Sequence, residues 1–135
     1  MITHDGTGYT FYVDGVIATS NALGGTLTVN SQAIITGSDF DYFRIAARSV
    51  LTSSQYPFKG KIDEVALFDA ALTAGNVSTI YNSGKPGDLT AFSPSGWWRM
   101  GDVNGASGTT ITDQGSGGNN GTLTNGPTYS TNVPT

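Results

Sequence analysis

Two neighbouring carboxylates, Asp63 and Glu64, are the first candidates for chemistry in this chain. Retaining glycosidases use two carboxylates about 5 Å apart, which one strand can supply when alternate residues face the same cleft. Because Asp63 and Glu64 are adjacent, an unbulged strand directs them to opposite faces. No second carboxylate follows either residue at i+2 or i+4 in KIDEVALF. We therefore expect no catalysis, and expect both side chains to bond neighbouring backbone or Lys and Arg side chains at a sheet edge.

The loop at residues 113–121 carries oxygen atoms of the kind that calcium binds. It offers the carboxylate of Asp113, the amide oxygens of Asn119 and Asn120, and several glycine carbonyls. One carboxylate alone binds calcium weakly, so other acidic residues would have to join it; the candidates are Asp39, Asp41 and Asp102. The alternative is a turn in which Asp113 bonds to nearby backbone and the glycines supply positive φ. No other cofactor is expected, because the single histidine, His4, has no Ser or Cys motif beside it.

Trp97 and Trp98 are neighbours in a strongly apolar stretch that also contains Met100. In a strand, adjacent side chains point to opposite faces, so one indole should face the core and the other should face outward. An outward Trp beside a Tyr can stack on a sugar ring or anchor a subunit contact. Core or interface packing is favoured over sugar stacking. The candidate binding or interface residues are therefore Trp97, Trp98, Met100 and Tyr129.

Composition indicates one small all-β domain. The chain has 135 residues, including 19 glycines, and only 12% of its residues are charged. The net charge of −4 provides no basic surface for nucleic acid, and the absence of cysteine excludes disulfides and thiol chemistry. No apolar run approaches the length of a membrane span, and no Sec-type signal is visible, so no membrane partner is expected.

One stretch predicts a strand followed by a short helix. Residues 61–68 are rich in Ile, Val, Leu and Phe, which is typical of a buried strand. A helix over residues 73–82 should begin with Thr73 as N-cap, with Leu72 stapled onto Val77, and should end with Gly84 as a left-handed C-cap. Such a short helix needs a sheet to pack on, through Val77, Ile80 and Tyr81.

A hairpin and several short strands are predicted around this stretch. Asp14-Gly15 suits a two-residue turn between strands at residues 9–13 and 16–18. A Pro/Gly-containing connector occupies residues 85–95. Residues 51–57 are expected to form a loop. Further short strands are predicted at residues 26–29, 33–36, 43–48, 97–100, 109–112 and 122–124.

Several of these segments together resemble a known family. The segments YTFYVDG, FKGKIDEVALFDAALT and IYNSG resemble the laminin-G-like branch of the concanavalin A-like jelly rolls. WWRMGD followed by TITDQGSGGNNGTLTNGP is similar to the opening strands of such domains, in a combination found in virion proteins of tailed phages. In that family the WW strand comes first, whereas here it comes last, so the segment order is permuted.

The resemblance implies an all-β antiparallel β-sandwich of jelly-roll type with one short helix. It implies one laminin-G-like domain over residues 1–135, with a body at 1–84 and C-terminal strands at 96–135 that complete either their own sheet or a neighbour's. The implied function is a non-catalytic virion structural or adhesion module, such as a capsid decoration or appendage protein. A secreted or surface carbohydrate-binding lectin, with or without calcium, is the alternative, and a glucanase-like hydrolase is a lesser one. The expected partners are further copies of the chain, with a trimer favoured, other virion proteins and a host-surface glycan.

Overall fold

The computed structural model describes residues 1–18, 43–46, 48–50, 53–55, 58–103 and 105–132. They belong to two compact units, one formed by Met1–Leu27 with Asp63–Thr135 and the other by Thr28–Ile62. In these described ranges all strand pairs are antiparallel and there is one α-helix, as the predicted fold class requires. The strands predicted at residues 26–29 and 33–36 lie outside the described residues. The described helix is too short to span a membrane.

The N-terminal sheet of the first unit contains β1 (Ile2–His4), β2 (Tyr9–Val13) and β3 (Val16–Ile17), in that order across the sheet. Val13 pairs with Val16 across a two-residue turn in which Asp14 has φ 51° and Gly15 has φ 76°. Positive φ at both central residues is the requirement of a type I′ hairpin turn, which matches the right-handed twist of its strands. The predicted Asp-Gly hairpin is therefore confirmed.

Helix α1 (Ala74–Tyr81) forms where the capping residues predict it. Thr73 is the N-cap, and its Oγ1 accepts a hydrogen bond from the backbone N–H of Asn76 at 3.2 Å. The C-cap is Asn82 rather than Gly84, because the chain turns left-handed directly after Tyr81. Asn82, Ser83 and Gly84 all have positive φ, at 45°, 58° and 81°. The short helix is held by packing, since Val77 is only 2% exposed.

We predict that Thr73→Ala lowers the free energy of unfolding by about 1 kcal/mol, because the Asn76 N–H loses its acceptor at the helix start. Thr79→Ala is the matched control. The Thr79 hydroxyl donates only to the carbonyl of Gly75 inside the helix, and alanine is the better helix former. Urea denaturation of both variants checks this, and equal losses at the two positions would contradict the capping role.

Strand β6 (Val65–Leu67) pairs with β7 (Gly96–Trp98), with Ala66 opposite Trp97. The predicted strand at residues 61–68 is thus shorter than expected. Its start is set by Glu64, whose φ of 50° interrupts the extended backbone just before Val65. In this chain the C-terminal WW strand pairs with β6.

The opposite edge of β7 contacts the loop between β8 (Thr110–Ile111) and β9 (Gly121–Thr122). Gln114 N–H donates to the Trp97 carbonyl at 2.7 Å, and Trp98 forms an isolated bridge with Asp113. β7 is therefore central, with β6 on one side and this loop on the other. We call residues 96–122, which contain β7, β8 and β9, the clasp.

Two glycines let the chain segments of the clasp approach each other closely. A Cβ on Gly115 would lie 2.7 Å from both the backbone N and the Cα of Gly96. A Cβ on Gly96 would in turn lie 2.5 Å from the Trp98 ring. Side chains at these two positions would collide with their neighbours, so the clasp requires glycine at both.

In the second unit, β4 (Arg48–Val50) pairs with β5 (Ser53–Gln55), and Val50 lies opposite Ser53. The prediction of a strand over residues 43–48 is wrong for residues 43–46, which are in no strand and of which Ala46 has φ 70°, whereas Arg48 begins β4. The predicted loop at 51–57 is also wrong in part, since it contains β5. The backbone N–H of Phe58 donates a hydrogen bond to the carbonyl of Ala46 at 2.8 Å.

Candidate functional site

Glu64 uses both of its carboxylate oxygens to hold the clasp. Trp97 Nε1 donates to Oε2 at 2.7 Å, and Arg99 Nε donates to Oε1 at 2.9 Å. Asp63 turns the other way, and its Oδ1 accepts from the Glu64 backbone N–H at 3.0 Å. The positive φ of Glu64 directs its side chain across β7 toward these donors. The expectation that the two carboxylates bond backbone and an Arg side chain is confirmed.

Arg99 contacts two carboxylates, Glu64 and Asp102, and the ring of Trp97. Its guanidinium lies over the Trp97 ring, 5.2 Å from the centroid, and its second nitrogen contacts Asp102 at 2.9 Å. The hydrogen bond to Glu64 raises the pKa of Arg99, and the charges of Glu64, Asp102 and Asp63 add to that effect. Burial raises the pKa of Asp63, as do the nearby charges of Glu64 and Asp102.

The raised pKa of Asp63 predicts how stability depends on pH. Because the folded state favours the protonated acid, this contribution to stability is full below the ordinary pKa of 3.8 and is lost as pH rises through the raised value. Asp63→Asn keeps an oxygen for the Glu64 N–H and cannot ionise. We expect this variant to melt at a higher temperature than the unmodified chain at pH 7, and at about the same temperature at pH 3.

Asp69→Asn controls for the change in net charge, since Asp69 is exposed. Thermal melts of both variants at the two pH values separate a local effect from a global one. A gain at pH 7 that is equal in the two variants would mean that net charge, and not burial of Asp63, is responsible.

Asp113 organises the glycine-rich loop by accepting backbone hydrogen bonds. Its Oδ1 accepts from Trp97 N–H at 2.8 Å and Gly115 N–H at 2.7 Å, and its Oδ2 accepts from Asn119 N–H at 2.8 Å. Asn120 Oδ1 accepts from the N–H of Asp113 at 3.0 Å. Burial raises the pKa of Asp113, but the three N–H groups outweigh it, so the pKa lies below its usual value.

Both oxygens of the Asp113 carboxylate, one of the predicted calcium ligands, accept hydrogen bonds from backbone N–H groups. The structure does bring Asp113, Asn119 and Asn120 together, but N–H groups face the carboxylate from several directions, where a cation would need open oxygens. The described residues contain no group of three or more acidic or histidine side chains able to hold a metal. Asp102 bonds to Arg99 instead, and the other two candidates, Asp39 and Asp41, lie outside the described residues.

Trp97 and Trp98 are both buried, at 4% and 7% exposed, so the expectation that one of them faces outward is wrong. The reason is that each indole has its own set of covering contacts, one on each face of β7. Trp97 lies against Glu64 and Arg99, whereas the Trp98 ring lies over Gly96 and its Nε1 donates to the Asn119 carbonyl at 2.9 Å. The remaining candidates are half-buried: Met100 has φ 43°, and the Tyr129 ring covers Gly101.

A shallow cleft of about 160 Å³ lies between the N-terminal hairpin and α1. Its lining residues are the N-terminal residue Met1, then Tyr12, Asp14 and Gly15 from the hairpin, and Val77, Ile80 and Tyr81 from α1. Val77 and Tyr12 form the buried floor, while Asp14 and Tyr81 are exposed at the rim. The sequence assigned Asp14 to a turn and Tyr81 to packing. The predicted packing of the helix on the sheet was the signal that could have placed Asp14 and Tyr81 at one cleft.

A laminin-G-like family model, described as the concanavalin A-like lectin/glucanases superfamily, matches residues 1–78. No curated protein and no solved structure matches the chain. The matched range covers β1 to β6 and most of α1, including the type I′ hairpin, Glu64 and the Thr73 cap, and it makes up more than half of the 135 residues. The chain therefore belongs to the concanavalin A-like lectin/glucanases superfamily.

Proposed function

We propose that this protein is a non-catalytic carbohydrate-binding module of lectin type, built as an antiparallel jelly-roll sandwich. The observation that carries the proposal is the family match over residues 1–78. The antiparallel pairing of the described strands supports the sandwich.

The cleft between the hairpin and α1 is the proposed sugar site. A sugar ring presents an apolar face, which packs on an aromatic ring, and hydroxyl groups, which donate to a carboxylate. The Tyr81 side chain, 36% exposed, supplies the ring, and Asp14 supplies the acceptor. A volume near 160 Å³ is well below that of a drug-sized pocket, so the cleft accommodates one sugar ring at the end or edge of a glycan.

Absence of catalysis is part of the proposal, and the contacts of the acidic residues support it. A glycosidase needs one carboxyl group to protonate the leaving group and a second to act as nucleophile or base. Both oxygens of Glu64 are bonded to Trp97 and Arg99, and those of Asp113 are bonded to backbone N–H groups. These carboxylates stabilise the fold, and their contacts leave neither in position to attack a substrate.

The proposed setting is a virion, where the module would bind a host-surface glycan beside other virion proteins. The resemblance of WWRMGD and DQGSGGNNG to tailed-phage virion proteins supports this setting. Mass spectrometry of purified particles tests it. Peptides of this chain at a stoichiometric level would support the setting, and their absence from intact particles would favour a secreted lectin.

A glycan array with the unmodified chain, with and without a chelator, tests the binding function. We expect binding to specific glycans that the chelator leaves unchanged, and no release of sugar from laminarin-like polymers. Asp14→Asn and Tyr81→Leu should each weaken binding at least tenfold. Asparagine tolerates the positive φ of residue 14, and leucine retains apolar contact with Gly15, so both variants should fold. Val103→Ser, at an exposed position outside the cleft, is the control. Binding unchanged in both cleft variants would exclude this site.

A further inference from the structure

The clasp contacts β6 and the neighbouring Glu64 through a strand ladder and a few hydrogen bonds. Strands β6 and β7 form the ladder, Ser95 N–H donates to the Leu67 carbonyl at 2.9 Å, and Glu64 receives Trp97 and Arg99. Nothing in these contacts depends on which copy of the chain supplies the clasp. A neighbouring copy would satisfy the same donors and acceptors with the same register.

The segment that joins α1 to the clasp is strained in the closed chain. Ser83 and Ser93 have φ of 58° and 50°, although neither of them is glycine. Side chains other than glycine are disfavoured in this left-handed region, and a strained hinge is a feature that promotes exchange of elements between copies. Pro86 and Pro94 further restrict how the segment can bend.

The connector is long enough to reach a second copy. Residues 85–95 span up to about 36 Å when extended, which is the breadth of a small domain. The clasp also lies beyond residue 78, where the family match ends. It is therefore an additional element whose removal leaves β6 without the only partner strand it has among the described residues.

We infer that the clasp exchanges between copies of this chain, so that Glu64 of one copy receives Trp97 and Arg99 of a second copy. The exchanged assembly keeps the β6–β7 ladder and the Glu64 contacts of the closed chain and releases the strain at Ser93. The exchange gives closed assemblies of two or three copies. The population of the exchanged assembly rises with protein concentration, because its formation requires copies of the chain to associate.

Isotope-mixed cross-linking of the full chain tests the exchange. A photoreactive amino acid replaces Leu67, which is 42% exposed and pairs with Gly96. Chains labelled with ¹⁴N and ¹⁵N are refolded together at high concentration and irradiated. We expect cross-links between residue 67 of one isotope and the β7 peptide of the other, and a light-scattering mass at least twice the 14.0 kDa of one chain.

Ser93→Gly removes strain from the connector and should lower the association constant about tenfold. Asn125→Gly makes the same kind of change at φ 63° outside the connector and should leave association unchanged. A mass of 14.0 kDa at every concentration would overturn the inference. A larger mass with cross-links only within one isotope would also overturn it, because the copies would then meet through another surface.

Discussion

Asp113→Ala is expected to lower the free energy of unfolding by about 3 kcal/mol, a large fraction of the stability of a domain this small. The substitution removes one carboxylate and leaves the N–H groups of Trp97, Gly115 and Asn119 without acceptors. The N–H of Trp97 lies in the buried central strand, where water cannot replace the lost bond. Urea denaturation followed by tryptophan fluorescence measures the loss.

Asp113→Asn separates the charge from the hydrogen bonds. One amide oxygen can still accept from Trp97 and Gly115, but the amide NH₂ faces the N–H of Asn119, so we expect a smaller loss of about 1–2 kcal/mol at pH 7. The lowered pKa of Asp113 means that its contribution is present above the ordinary value of 3.8 and is lost as pH falls through the folded value. The gap between the unmodified chain and the Asn variant should therefore narrow in acid.

Asp88→Ala provides the matched control. Asp88 also accepts a backbone hydrogen bond, from Thr90 N–H at 2.8 Å, but at an exposed position. Water can satisfy that N–H after truncation, so the loss should be well below that of Asp113→Ala. Comparable losses at the two positions would show that burial of the loop is not what makes Asp113 important.

Local chemistry made the hairpin and the helix predictable from the sequence. The turn needs positive φ at two residues, and Asp14-Gly15 provides it, while Thr73 supplies an acceptor just where the helix starts. Both signals act within a few residues and do not depend on the rest of the fold. The predicted C-cap was Gly84, whereas the observed C-cap is Asn82. Asparagine also tolerates the left-handed region, so the sequence contained two residues able to end the helix.

The contacts of the clasp were not predictable in the same way. Alternation along a strand required one indole to face outward, but β7 is covered on both faces, so both indoles are buried. The Glu64 contacts join residues more than 30 positions apart. They also depend on the positive φ of Glu64, which the sequence does not suggest because residue 64 is not glycine. The oxygen set around Asp113 was consistent with either an ion or a turn, and only the direction of the N–H groups separates the two.

Trp98→Ala is the second large effect expected, with a loss of about 4 kcal/mol. The ring is 7% exposed, covers Gly96, and donates from Nε1 to the Asn119 carbonyl at 2.9 Å. Truncation therefore opens a cavity and removes a bond that ties β7 to the loop. Trp98→Phe keeps a six-membered ring but loses the donor and part of the buried volume, so a smaller loss of about 2 kcal/mol is expected. Val103→Ala, at an exposed position, should change stability by less than about 0.5 kcal/mol.

The contact between Trp98 and Gly96 can be isolated by combining two substitutions. Gly96→Ala alone should be strongly destabilising, because the nearest atoms to the new Cβ all belong to the Trp98 ring, the closest at 2.5 Å. In the Trp98→Ala background that ring is absent and the added methyl group partly fills the cavity. The two losses should therefore be far from additive, with a coupling of about 2 kcal/mol measured by denaturation of the four proteins. Additive losses would mean that the ring does not lie over Gly96, and the packing of the central strand would have to be revised.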